Sequence, residues 1–459
     1  MYTYICSQGY ECAILYVVVN RSGGVMNILL FLIILLAFIV FIGIINERIF
    51  HIQSDIALIF FSLIIALVLA LARILFPTTP LNGFIDNLGE FGFEEYLMDG
   101  VLCFMLFAGA SKVNMGKFRQ NLRPICLLAL LTTLISSFLY GAIFFLIASA
   151  FNIPMDIWMC ILLGCVVSPT DPIAATGILN KIGLSKNVCS VIENESLFND
   201  GTGVTLFIFV RSIIIHSSDS NFAKLMLKEI VGAIAVALIV SFILFKLMEL
   251  TRDPIRYILI SLLDVSAVYM ICEHMGFSGV IASVVCGMFF SYSMDRMERR
   301  VKVIDHREYY EDFWERLESM LNAILFVMIG LLILNLNISP YIYILVPASI
   351  LVLVFSRAMG VFVSSILTGK HIPGNYNLVE FTTLMTWSAL KGGLSLALAI
   401  GTAEYLSPEI NDVFMNVTYL TIFFTVLVQG LTVKKVYFAL EKHKANRILN
   451  KASMKGGSL

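Results

Sequence analysis

The stretch Ile157–Leu179, IWMCILLGCVVSPTDPIAATGIL, is long and apolar enough to cross a bilayer, yet it carries Ser168-Pro169-Thr170-Asp171-Pro172 at its middle. A bilayer core takes about 20 apolar residues per helical crossing. Each proline removes a backbone donor and disfavours helix at the residue before it. The run therefore reads as a membrane span broken at mid-depth, with a carboxylate at the break. Backbone groups freed there are tolerated only against other protein or a water-filled cavity.

The rest of the chain supports a membrane setting. Of its 459 residues, 59% are hydrophobic and 14% charged, and the mean hydropathy is +0.90; no soluble protein of this length is so apolar. A formal net charge of −1 gives no reason to invoke nucleic acid. The nine cysteines lie mostly inside apolar runs without a CxxC pair or Cys/His ligand spacing, which implies neither a metal site nor a disulfide framework. Cutting at charge and Pro/Gly clusters leaves thirteen apolar runs. They begin with Met26–Ile45, include Val188–Ile214, Ile230–Leu250, Tyr341–Leu367 and Val379–Ala403, and end with Val413–Val433. The expected fold is an all-α polytopic membrane protein. Residues 1–25, mixed in character, read as an exterior tail or as an upstream start that the native protein does not use.

Basic residues sort the loops. Lys112, Lys117, Arg119 and Arg123 follow the third span, Arg296, Arg299, Arg300, Lys302, Arg307 and Arg316 precede the tenth, and Lys434, Lys435, Lys442, Lys444 and Arg447 lie in the tail. Asp86, Glu90, Glu94 and Glu95 fall in the second-to-third connection. Because Lys and Arg in short loops stay cytoplasmic, the N-terminus is expected outside and the C-terminus, with a short basic tail over 434–459, in the cytoplasm. Lys224 and Lys228 dissent. The basic connection before the tenth span reads foremost as the positive-inside signal.

A second span is interrupted. Lys391-Gly392-Gly393 loosens the twelfth run, as the prolines do the fifth. If the seventh span is a linker, spans one to six match spans eight to thirteen, five matches twelve, and an offset of seven reverses their direction. That is the arithmetic of inverted repeats with a site at the paired breaks. At about 1.5 Å per residue, Asp171, Asp200, Arg357 and Lys391 all fall roughly 18–24 Å into their spans. Charge at such depth is costly and marks function. Asp171 is suited to an exposed half-helix N-terminus, and Lys391 to a C-terminal end.

The sixth span supplies oxygen. In Glu195-Ser196-Leu197-Phe198-Asn199-Asp200, Glu195 and Asn199 are i,i+4, as are Ser196 and Asp200, so the four share neighbouring strips of one face. Carboxylate, hydroxyl and amide oxygens, with backbone oxygens freed at Thr170, are hard-cation ligands. Burial disfavours a carboxylate's charged form, which lets Asp200 hold a proton when no metal ion is present. One group that takes either ion, never both, is sufficient for exchange.

Ser168–Leu179, Glu195–Phe207 (ESLFNDGTGVTLF), Ser356–Val361 and Trp387–Ile400 together resemble the cation:proton antiporter-1 family, the prokaryotic NhaP-type and eukaryotic NHE-type sodium/proton exchangers. The resemblance implies an NhaA/NhaP-like fold and a homodimer in the cell membrane. It implies dimerisation segments over 26–111 and 256–335, a core ion-transport domain over 124–216 and 340–433, and a linker helix over 229–250. It also implies that Asp200 is the shared Na⁺/H⁺ site, with Asn199 and Ser196 shaping it and Thr170 adding oxygen. Asp171 would stabilise crossed broken helices and Glu195 would pair with Arg357. An Asn-Asp pair in place of Asp-Asp marks the electroneutral branch. One departure stands out: Lys391 occupies a position where the family usually has arginine, and its compact ammonium lacks the planar fork of guanidinium.

Other readings stay open at this stage. A K⁺/H⁺ or broad monovalent cation/H⁺ exchanger would use the same oxygens. A cation channel is disfavoured by the lack of a TVGYG-like filter, and an enzyme by the lack of HExxH, P-loop or nucleophile-elbow motifs. No cofactor is expected beyond the transported Na⁺ and H⁺. Asp99, Asp264 and Arg73 read as interface or cavity residues outside the site, and the six histidines as loop residues.

Overall fold

The computed structural model describes residues 24–75, 101–171, 173–215, 222–301, 305–337, 341–369, 372–403 and 405–456. Residues 1–23 of the expected exterior tail lie outside it, as do the acidic second-to-third connection and Asp99. The described residues are helical throughout apart from turns, short loops and one isolated antiparallel bridge, Asp171–Leu390.

The chain opens with α1 (Gly24–Ile45), continued by a π turn over Asn46–Phe50, then α2 (Ser54–Leu75) and α3 (Leu102–Ser111). A short α4 (Met115–Gln120), N-capped by the Asn114 side chain, leads into α5 (Leu122–Ala150). The fifth predicted span becomes two half-helices, α6 (Ile157–Val167) and α7 (Ile173–Lys181). Then come α8 (Lys186–Ile215), α9 (Phe222–Met248), α10 (Pro254–His274), α11 (Gly279–Val301), α12 (Asp305–Leu331) and α13 (Ile342–Thr368). The twelfth predicted span divides into α14 (Leu378–Trp387) and α15 (Gly393–Ile400). Last are α16 (Pro408–Phe423), a π turn over Phe424–Gln429 and α17 (Gly430–Gly456). Eight helical stretches among the described residues are long and apolar enough to cross a membrane, and Leu102–Ser111 and Ile157–Val167 are shorter apolar helices. The chain is thus a multi-pass membrane protein.

Four sizeable buried clusters organise the described helices, one of which joins Ile125, Leu179, Val191, Val361, Phe381 and Val433 of α5, α7, α8, α13, α14 and α17. Tyr140, Phe144, Leu162, Val166, Phe207, Leu353, Leu398 and Phe414 knit α5, α6, α8, α13, α15 and α16. Phe107, Phe245, Phe290 and Trp314 centre a second group of α3, α9, α10, α11 and α12, with Phe107 and Trp314 ring centroids 4.4 Å apart. Leu35, Ile56, Leu325, Phe326, Tyr419 and Ile422 join α1, α2 and α12 to α15 and α16. Outward, Phe41, Leu67, Val68, Ile239, Phe242, Leu351 and Phe355 are exposed, as side chains facing lipid should be. Lipid removes the hydrophobic drive between helices, so close packing and polar pairs hold them. At the α5–α13 crossing the Tyr140 hydroxyl and Ser349 Oγ lie 2.6 Å apart and Thr132 Oγ1 and Ser364 Oγ 2.9 Å. A Cβ on Gly360 would come within 2.8 Å of Ser136 Oγ there.

Two regions differ in form from the sequence reading. The basic connection before the tenth span is mostly helical, because α11 runs on to Val301 and α12 starts at Asp305; Arg307 bridges Asp295 at 2.6 Å and Glu311, one turn on, at 2.5 Å. The tail continues as α17 and docks on the start of α14. Arg447 Nη2 donates to Glu380 Oε2 at 2.9 Å, His443 Nδ1 lies 2.8 Å from Glu380 Oε1, and the Tyr376 hydroxyl donates to Glu441 Oε1 at 2.5 Å. Burial, with the Glu441 carboxylate beside it, pushes the Tyr376 phenol up, so it remains a donor.

Candidate functional site

The site grows from the two breaks. Between α6 and α7, and between α14 and α15, the backbone leaves the helix and the two strands of chain cross, joined where the Asp171 N–H donates to the Leu390 carbonyl at 2.8 Å. Each half-helix end leaves orphan backbone groups and a partial charge inside the bilayer. Lys391 Nζ donates to the Ser168 and Pro169 carbonyls at 2.8 and 3.0 Å, which places a cation on the C-terminal end of α6. Asp171 lies against Gly392, the N-cap of α15; a Cβ there would sit 2.9 Å from Asp171 Oδ2. Each broken span thus carries the charge that the other's end requires. The Lys391 N–H donates to Thr425 Oγ1 at 3.1 Å, tying the crossing to the π turn after α16.

A second set of bonds ties α8 to the first break. Thr170 N–H donates to Asn199 Oδ1 at 3.1 Å, and Asn199 Nδ2 donates to Thr170 Oγ1 at 2.6 Å and to Glu195 Oε1 at 3.0 Å. Ser196 Oγ lies 3.2 Å from Thr170 Oγ1 and donates to the Thr170 carbonyl. Behind them, Arg357 Nη2 on α13 donates to Glu195 Oε1 and Oε2 at 2.9 and 3.0 Å, with both side chains buried. The helical spacing read from sequence brought Glu195 and Asn199 together; the Thr170 link across two elements required the fold.

A cavity of about 950 Å³ reaches this crossing. Of the residues expected at the site, Thr170, Asp171 and Asp200 line it, whereas Ser196, Asn199, Glu195, Arg357 and Lys391 stand behind those three. The Asp200 side chain is partly accessible in the cavity. The lining runs outward to Lys112, Asn114, Lys117 and Lys186, on the face that bears the basic third-to-fourth connection. Lys112 Nζ meets Glu318 Oε2 at 2.6 Å near that mouth. Among the described residues no group of three His, Cys, Asp or Glu side chains could hold a metal ion, so a cation at Asp200 would depend in part on neutral oxygens.

The sequence reading did not single out Glu193, Asn194, Glu318, Asn322 or Ser395, which also line the cavity. The available signal was the Glu318/Asn322 pair, i,i+4 inside an otherwise apolar run. Asp264 lies elsewhere, buried in the second helix group with Cys286 Sγ donating to Oδ2 at 2.8 Å. The Arg73 side chain falls outside the described residues.

Two spans broken and crossed at mid-membrane, with oppositely charged residues on their ends and a cavity-lining carboxylate beside them, define a secondary transporter. The chain belongs to the family described as "Sodium/hydrogen exchanger, transmembrane", which matches residues 80–439. It is 32% identical over 358 residues to the Na(+)/H(+) antiporter NhaP of Pseudomonas aeruginosa, covering 74% of this chain and 80% of that one. It is 30% identical to the Na(+)/H(+) antiporter NhaH of Halobacillus aidingensis, covering 67% of this chain and 74% of that one. The structure of the sodium proton antiporter MjNhaP1 from Methanocaldococcus jannaschii superposes with a TM-score of 0.70 over 90% of this chain and 99% of that one, at 20% identity. The chain therefore shares that fold.

Proposed function

We propose that this chain is a secondary active antiporter that exchanges Na⁺ for H⁺ by alternating access, with the two ions competing for Asp200. The observation that carries the reading is the Asp200 carboxylate lining an accessible cavity, beside two broken helices whose ends face the charges of Asp171 and Lys391. Family membership and the names of its relatives support the choice of ions.

Asp200, with Thr170 and Asp171 also in the cavity wall, takes a partly dehydrated Na⁺; Ser196 and Asn199 hold the Thr170 backbone in place behind it. When Na⁺ leaves, the carboxylate takes a proton, since a bare charge at this depth in the membrane is unfavourable. Both loaded forms are neutral at Asp200, and this neutrality permits the core to move. Its bundle is α5–α8 with α13–α16, sliding against α3 and α10–α12, which with α1 and α2 would form the dimerisation side of a homodimer. With Asp200 as the one group that changes its occupant while Glu195 and Arg357 stay paired, one Na⁺ exchanges for one H⁺ and no net charge crosses. With the N-terminus outside, the cavity faces the cytoplasm, where positive-inside sorting puts Lys112 and Lys117.

Asp200→Asn tests the assignment. In proteoliposomes carrying a pH-sensitive dye, we expect the variant to lose Na⁺-dependent proton movement completely while eluting and melting as the wild type does. Retained exchange would sink the role of Asp200. Running Na⁺, Li⁺ and K⁺ in parallel on the wild type separates a sodium exchanger from a potassium or broad-specificity one.

A further inference from the structure

The α12 side of the cavity carries a polar side chain with no hydrogen-bond partner among the described residues. Glu318, Asn322 and Leu325 are spaced i, i+4, i+7 on α12 and line the cavity from mouth to floor. Glu318 is engaged by Lys112. One turn deeper, Asn322 is 1% exposed, and neither its Oδ1 nor its Nδ2 has a hydrogen-bond partner among the described residues. Ser395 Oγ on α15 and Asn194 Oδ1 on α8, both buried, are likewise unpartnered and line the same cavity.

An amide with both ends buried and unpaired is costly, and an apolar side chain of similar shape would relieve that cost. Leu321, Leu325 and Phe326, its neighbours on α12, are all apolar and buried, so packing does not call for an amide here. The orphan atoms share a cavity with Asp200 and supply neutral oxygen, a ligand type that a hard cation takes beside carboxylates.

We propose that Asn322 is a cation-binding residue contributed by α12 to the cavity that Asp200 lines, completing the coordination or hydration shell of the ion at Asp200 together with Ser395 and Asn194. Its ligand is a monovalent cation or that cation's inner-sphere water. Because α12 packs outside the α5–α8 and α13–α16 bundle, this contact exists only while the cavity is open to this face. Asn322 therefore sets affinity on one side of the membrane and is released as the bundle moves. The inference rests on Asp200 being the exchange site and refines which residues share the ion with it.

The test is Asn322→Leu beside Asn322→Asp, in oriented vesicles with Na⁺ titrated on the cavity face. Asn322→Leu is expected to raise the Na⁺ KM by about tenfold, the loss of one contact to a charged group, with Vmax within about twofold and the melting temperature unchanged or higher. Asn322→Asp keeps an oxygen at the same place and should hold KM at or below the wild-type value. A KM for Asn322→Leu equal to wild type overturns the proposal. So does a fall in melting temperature together with Vmax at constant KM, which would make Asn322 structural. Wild-type exchange in the same vesicles, lost in Asp200→Asn, keeps the failure of this inference distinct from failure of the function itself.

Discussion

Glu195 and Arg357 show how charge is kept inside this bundle by pairing it with its opposite. Their side chains are 2% and 4% exposed and face each other through two charge-assisted hydrogen bonds, while Glu195 also accepts from Asn199. Arg357 thereby fixes the residue that orients Asn199, which in turn holds Thr170. Arg357→Ala strips the pair of one member and leaves a buried carboxylate uncompensated, at a cost of about 3–5 kcal/mol. The expected result is a marked fall in folded yield and melting temperature in detergent, with near-normal Na⁺ KM in the molecules that survive. A large KM change at unchanged stability would instead place Arg357 at the ion. The residue types and their depth were legible in sequence, since charge inside an apolar run is conspicuous. That Asn199 spends both ends of its amide on protein partners was not, because its bonds to Thr170 cross 29 positions of chain.

At the scale of elements, the device is a crossing of two half-helix pairs, each supplying the charge for the other's end. The crossing depends on close approach: Gly392 leaves room for Asp171, and an added methyl would meet Asp171 Cβ and Oδ2 at 2.9 Å. Gly392→Ala should push the carboxylate off the α15 N-terminus, costing about 1–3 kcal/mol as overpacking does. Exchange should slow by about tenfold or more, because the same strain falls on the Asp171–Leu390 link. Dye-monitored exchange beside a thermal melt checks this, and wild-type rates in Gly392→Ala would show that the approach is not needed. Both breaks could be read from Pro and Gly inside apolar runs. The pairing of Lys391 with Ser168 and Pro169, rather than with any acid, could not, since 222 residues separate Pro169 from Lys391.

At the scale of the molecule, the question is what moves with the ion. If the core carries one Na⁺ one way and one H⁺ the other, no net charge crosses, and an imposed potassium diffusion potential leaves the exchange rate unchanged. A net charge of one per cycle would instead bias the reaction by about 2.3 kcal/mol per 100 mV, and a rate that follows voltage would refute the one-for-one stoichiometry. The sequence alone determined that this chain lives in a membrane, that two of its spans break at mid-depth, and which acids and bases lie at that depth. Local rules suffice for these: helix rise, proline chemistry and the cost of charge in hydrocarbon. The tertiary structure decided which of those groups are spent on one another and which remain open to water. It joined Glu195 to Arg357 and Lys391 to the carbonyls of α6, and it left Asp200 lining the same cavity as Asn322, whose amide has no hydrogen-bond partner among the described residues. Partner choice between elements distant in sequence is a property of packing, and depth in a single span says nothing about which side of a helix meets water.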